Sequence, residues 1–142
     1  MTTELTASIT LQENVHFVGQ AHTGHQVSID YPPPMGGDAG FMPLELLLLS
    51  VAACGGQTVS RILDKMKQPV TNMEVRAVGQ QRAEHPMLFT EIQVEFVAQG
   101  NNIEAAALER AIKLSEDQYC PVWAMLKNGT QLTTSYRIVA GE

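Results

Sequence analysis

The stretch that most restricts the fold runs from Leu46 through Val51, Ala52 and Ala53 to Cys54 and the pair Gly55-Gly56. It carries no charge and has apolar residues on every side of a helix, so a helix here must be buried all round in its first half. Pro43 suits the first helical position, and Glu45 falls in the first turn, where a carboxylate faces the positive end of the helix dipole. The helix is expected to run to about Lys67, just before Pro69. Beyond the glycines, Val59, Ile62, Leu63 and Met66 return to one-sided spacing, leaving Asp64, Lys65 and Lys67 in water. The apolar stretch falls short of the ~20 residues that cross a bilayer, so it reads as a core helix and no membrane partner is expected.

The rest of the chain supplies what must wrap that helix. Leu5, Ala7, Ile9 and Leu11 alternate with Thr6, Ser8 and Thr10, the period-two pattern of a half-buried strand. A second strand is expected from Val15 to Gln20, and a third on Val27, Ile29 and Tyr31, giving a three-stranded meander. Positions 32 to 40, PPPMGGDAG, read as a long loop, because three prolines remove donors and three glycines loosen the remainder. After the helix, residues 71 to 83 and the alternating Leu88, Thr90, Ile92, Val94 and Phe96 form two strands joined as a hairpin at Glu84-His85-Pro86. Asn101 with Glu104 resembles a capping box opening a helix over 102 to 118, with Ala107, Leu108, Ala111 and Ile112 on its buried face. Cys120-Pro121 opens a short helix closed by Asn128-Gly129, and Leu132, Thr134, Tyr136 and Ile138 mark a last strand. The order is β-β-β-α-β-β-α-α-β, a single α+β domain over residues 1–142.

Size and charge narrow the function. A chain of 142 residues can bury a core without disulfides. The net charge of −6 argues against nucleic acid or an anionic membrane as the main partner. No basic-plus-apolar leader opens the sequence, and the expected location is cytoplasmic. There the two cysteines are normally thiols unless a chemical cycle oxidises them. No Lys or Arg precedes Arg61, and the possible cations before it are His16, His22 and His25.

The two thiols differ in setting. Cys120, just before Pro121 at a helix start, sits near unpaired backbone N–H groups that favour a thiolate and lower a thiol pKa. Cys54 lies inside a buried helix, where burial raises the pKa unless Ala52, Ala53, Gly55 and Gly56 open the helix face to a pocket. Two readings stay open from the residues alone: inert core thiols, since free cysteine often only fills space, or a working pair.

The segments FMPLELLLLSVAACGGQTVSRIL and LSEDQYCPVWAMLKNGTQLTTSYRI resemble the OsmC/Ohr family of osmotically inducible and organic-hydroperoxide-resistance proteins. The resemblance covers nearly the whole chain: the strand order, the central helix with its P-x-E-L-L-L…A-A-C signature, and the late Cys-Pro. It implies an intertwined homodimer, with antiparallel sheets around central helices and two active sites at the subunit interface. It also implies that Cys54 attacks a peroxide and becomes a sulfenic acid, that Cys120 condenses with it to a disulfide, and that an external dithiol reduces the disulfide. On that basis the expected substrate is an organic hydroperoxide, favoured by the apolar lining from Leu46 to Val51 with Phe41 and Met42. Neither metal nor nucleotide cofactor is required. The alternative is a catalytically weak dimer that binds a small apolar ligand or serves a stress response.

Family peroxidases use an arginine from the N-terminal strands to hold the thiolate and a glutamate near the central helix start to orient it. Here those strands lack arginine, and the position ten residues before Cys54 is Leu44, with Glu45 one residue later. Glu45 is therefore a tentative catalytic residue. Nine residues at 100° each place it about opposite Cys54 on an uninterrupted helix, so neutralising the helix N-terminus is an equal reading. Arg61 and Thr58 share the Cys54 face. A rise of ~10.5 Å strains the reach of Arg61, and a solvated Arg61 is preferred. A histidine, or a cation from the second subunit, is the other substitute.

His22-x-x-His25 brackets Thr23-Gly24 and reads as a turn rather than a metal site, having no third ligand nearby. Trp123 and Met125 read as core or dimer contacts. GGDAG lacks the strand-to-helix spacing of a dinucleotide fingerprint.

Overall fold

The structure, a computed structural model, describes residues 2–141. In chain order it contains β1 (Ala7–Glu13), β2 (His16–Ala21), β3 (Gln26–Ile29), α1 (Pro43–Lys65), β4 (Asn72–Gln81), β5 (Phe89–Gln99), α2 (Ala105–Leu114), a π-helical turn (Ser115–Tyr119), α3 (Pro121–Leu126) and β6 (Gln131–Val139). This is the expected α+β order. The chain divides into two compact units, Met1–Leu47 and Leu48–Glu142, and α1 begins in the first and continues through the second.

The first unit is the meander. β1 and β2 pair antiparallel with Ile9 opposite Gly19 and Leu11 opposite Phe17, and β2 pairs antiparallel with β3, Val18 opposite Ser28. The turns fall where left-handed backbone is available, at Asn14 and at Gly24 between the two histidines. The proline- and glycine-rich loop is tied down by Asp30. That side chain is only 2% exposed, and its carboxylate accepts the backbone N–H groups of Tyr31 (2.8 Å), Gly37 (3.1 Å) and Ala39 (3.0 Å). These donors, Ala39 foremost, hold its pKa below the ordinary aspartate value against the opposing effect of burial. The loop returns through Phe41, whose N–H donates to Ser28 O at 2.9 Å. Gly40 is obligatory there, since a Cβ would meet Ser28 O at 2.2 Å.

The second unit is a three-stranded sheet, β4-β5-β6, with helices against one face. Ile92, Val94, Phe96 and Ala98 of β5 are buried, and the ridge Val51, Gly55, Val59 and Leu63 is the buried side of α1. The glycines let helix and sheet approach closely. A Cβ on Gly55 would meet the Phe96 ring at 3.2 Å, and one on Gly56 would meet Val75 at 3.0 Å. Leu108, Ala111 and Ile112 complete the core from α2.

Several expectations need correction. The sheets are not wholly antiparallel, because β5 and β6 pair in parallel, Val94 opposite Thr134 and Phe96 opposite Tyr136. A parallel neighbour needs a crossover of a dozen or more residues, and α2, the π turn and α3 provide it. Asn101 does not cap α2. Its side-chain oxygen accepts from Gly141 N–H, and Glu104 is the N-cap, without a side-chain cap bond. The helix starts at Ala105 rather than 102, is α-helical to Leu114, and runs on as the π-helical turn to Tyr119, close to the expected end at 118. Finally, α1 spans 23 residues, so by length and composition it does reach what a bilayer crossing needs. In the second unit it serves as a core helix through its buried ridge of Val51, Gly55, Val59 and Leu63.

Candidate functional site

Both cysteines lie in the second unit, 66 positions apart in sequence, and the fold brings them together. Cys54 stands on α1 among small neighbours, immediately before the glycines that seat the helix on the sheet, and is partly exposed. Cys120 is the N-cap of α3, with extended backbone and Pro121 at the first helical position, and is only 3% exposed. What aims it is the π turn, closed by Cys120 N–H donating to Ser115 O at 2.9 Å. Such widened turns recur at functional sites because the extra residue redirects the chain beyond it.

The sulfurs are 3.0 Å apart, with the Cys120 thiol donating to Cys54 Sγ. Both are free thiols. Cys120 Sγ in turn accepts Trp123 N–H at 3.4 Å. This donor favours a thiolate, as the sequence suggests, but it is outweighed. Burial foremost, then the hydrogen bond with Cys54, pushes the Cys120 thiol up to about 11. Cys120 is thus the sealed member, against the expectation from its helix start, and Cys54, flanked by small residues, is the partly open one. The helix-start signal at Cys120 is real, but burial depends on which elements cover it, and local sequence does not say.

Glu45 belongs to the first unit, where its Oε1 accepts the Met42 N–H at 2.9 Å. With Pro43 at the first helical position, this is the backward arm of a capping box, so the side chain satisfies the helix start. Arg61 is exposed. Thr58 Oγ donates to the Cys54 carbonyl at 2.7 Å, a bond to backbone and not to the thiol. Among the described residues no three His, Cys, Asp or Glu side chains converge as a metal site. An open groove of about 420 Å³ between α2 and β6 is lined by Glu109, Glu116, Thr134 and Tyr136 and does not include the sulfurs. Its carboxylates are already engaged: Thr134 Oγ donates to Glu116 at 2.6 Å, and the Tyr136 hydroxyl donates to Glu109. The thiol pair is therefore the candidate site of the second unit.

A partly open thiol on a central helix, accepting a hydrogen bond from a buried thiol at the cap of a later helix, defines a dithiol site on an α+β frame. The chain belongs to the OsmC-like protein family, whose model matches residues 36–135. It is similar to protein YhfA of Escherichia coli K12, 36% identical over 128 residues that cover 90% of this chain and 93% of that protein. A crystal structure of a hypothetical protein from Aquifex aeolicus superposes with a TM-score of 0.88 at 33% identity, covering 99% of this chain and 100% of that one. An organic hydroperoxide resistance protein OsmC from Legionella pneumophila shares the fold at a TM-score of 0.70 and 14% identity, covering 96% of this chain and 98% of that one.

Proposed function

We propose that this protein is a thiol-dependent peroxidase that reduces organic hydroperoxides through a Cys54/Cys120 cycle, acting as a homodimer in a reducing compartment such as the cytoplasm. The observation that carries the reading is the 3.0 Å approach of two free thiols, one partly open and one sealed. The open sulfur attacks the terminal oxygen of ROOH. The S–O bond forms, the O–O bond breaks, and the sulfur is oxidised to a sulfenic acid while the peroxide is reduced to an alcohol. The second sulfur then displaces hydroxide to give the disulfide, and an external dithiol restores both thiols by exchange. Closing the disulfide needs only a small further approach of the sulfurs. Apolar surface on Leu49 of α1 and on Tyr119 and Met125 on either side of Cys120 stays exposed in the same unit and favours substrates with a greasy tail. The likeness to a protein named for organic hydroperoxide resistance points the same way.

The test is a mass measurement after one equivalent of a bulky alkyl hydroperoxide. A loss of two hydrogens, mapped to a Cys54–Cys120 bridge and reversed by a dithiol, is expected. Recovery of both thiols unmodified across several hydroperoxides would remove the reading and leave the ligand-binding alternative. That alternative predicts a rise in melting temperature with small apolar ligands in a Cys54→Ser, Cys120→Ser variant.

A further inference from the structure

Resting on the peroxidase reading, we propose that Cys120 acts in the first chemical step as well as the second: its S–H stabilises the attacking Cys54 sulfur and then protonates the leaving alkoxide. Three observations meet here. Cys120 Sγ accepts Trp123 N–H on one of its two lone pairs, while its single proton is directed at Cys54 Sγ. Cys120 is sealed from solvent, so water does not compete for that proton. Among the described residues of Leu48–Glu142, that S–H is the one hydrogen-bond donor to Cys54 Sγ, and no Lys or Arg side chain of the unit makes such a bond. The Cys120 thiol therefore performs within this unit the task otherwise given to a cation.

The step balances. Cys54–S⁻, HO–OR and Cys120–SH become Cys54–SOH, HOR and Cys120–S⁻. Cys54 loses two electrons to the O–O bond, the terminal OH stays on sulfur, and the Cys120 proton leaves in the alcohol. The terminal oxygen under attack sits at a near-attack distance of about 3–3.5 Å from Cys54 Sγ, and the leaving oxygen lies one O–O bond further along the line of attack, where a thiol beside that line can protonate it. The alkoxide is far more basic than a thiolate, so the transfer runs downhill. It also delivers Cys120 as a thiolate at the moment a sulfenic acid appears 3.0 Å away. The two chemical steps are then coupled by one proton, and the buried thiol becomes nucleophilic only after peroxide has been consumed.

The experiment is single-turnover loss of hydroperoxide, with trapping of Cys54 sulfenic acid, in wild type, Cys120→Ala and Cys120→Ser. A cysteine that only resolves leaves the first step untouched when removed. The proposal expects Cys120→Ala to slow peroxide loss by about 10²-fold, the low end of general-acid contributions. It also expects the rate to become steeply dependent on the acidity of the leaving alcohol across a series of substituted hydroperoxides, a dependence that a mere packing defect does not alter. Cys120→Ser, which keeps an O–H donor but cannot form a disulfide, recovers part of the rate and flattens that dependence. Equal rates and equal leaving-group dependence in all three proteins overturn the inference while leaving the peroxidase intact. No sulfenic acid and no peroxide loss in any of them overturns both.

Discussion

Strands β1 and β5 carry the same written pattern, apolar and polar residues in alternation, and arrive at opposite ends of the burial scale. In β5, Ile92, Val94, Phe96 and Ala98 are at most 2% exposed, covered by helices of their own chain. In β1 all seven residues are exposed, with Ile9 at 58% and Leu11 at 53%. Alternation reports that one face of a strand needs cover, but it does not report who provides it. An apolar strand face left open at a sheet edge is a surface seeking a partner. A homodimer, as proposed for this protein, supplies one: a second copy of the chain.

A charge on each strand separates the two cases with the largest effect. Val94→Asp buries an unpaired carboxylate in a covered core and is expected to cost more than about 4 kcal/mol, enough to abolish folding of the second unit. Ile9→Asp is expected to leave the chain folded and to move only the assembly equilibrium, read as a shift from dimer to monomer in sedimentation. If Ile9→Asp unfolds the protein at every concentration, β1 is covered within its own chain. If it leaves a dimer unchanged, the partner sits elsewhere.

The same contrast marks how far the sequence could be read. Alternation marks β1, β3, β5 and β6, the proline run marks the loop, and the leucine-to-glycine taper marks α1. Each of those signals is local. What escaped depends on distant residues. The parallel pairing of β6 is set by the length and path of the crossover, not by Leu132 to Ile138 themselves. The π turn has no compositional mark in Ser-Glu-Asp-Gln-Tyr, yet it aims Cys120. Both sulfurs were visible as candidates, and their family resemblance suggested that they meet. Which of them is sealed could not be seen, since that is a property of the surrounding elements. Asp30 reads in the sequence as one more loop carboxylate, because its burial and its donors Gly37 and Ala39, seven and nine residues on, depend on how the loop folds back.

Asp30 sharpens the comparison between the units at intermediate cost. Its lowered pKa means that its ionised form is favoured by folding, so its contribution is fully present above the unfolded value near 3.8. That contribution is lost as pH falls through the lower folded value. Acid should therefore loosen the 30–40 loop of the first unit. The amide signals of Tyr31, Gly37 and Ala39, which donate to this carboxylate, should titrate together with a midpoint below 3.8 and lose that titration in Asp30→Asn. A shared midpoint at or above 3.8 would mean the carboxylate is not held by those donors.

The smallest effect is expected where exposure carries no unmet demand. On the outer face of β5, Glu95 lies between Arg137 (3.3 Å) and Arg76 (3.5 Å), and Arg76 also pairs with Glu74. Both arginine side chains are about half exposed, at 53% and 51%, so water and salt already solvate these charges. Exposed ion pairs are typically worth little, because the gain in attraction is offset by screening and by ordering two long side chains. Glu95→Gln is expected to lower the melting temperature by no more than about 4 °C at low ionic strength. The gap should close further in 0.5–1 M salt, roughly where the Debye length falls to a few ångströms, with the assembly state unchanged. Ile9 and Glu95 are both surface residues of the isolated chain, yet only the first presents surface that water solvates poorly. A large loss from Glu95→Gln, or a change of assembly, would show that the polar face of β5 is also an interface, and exposure in one chain would no longer distinguish the two strands.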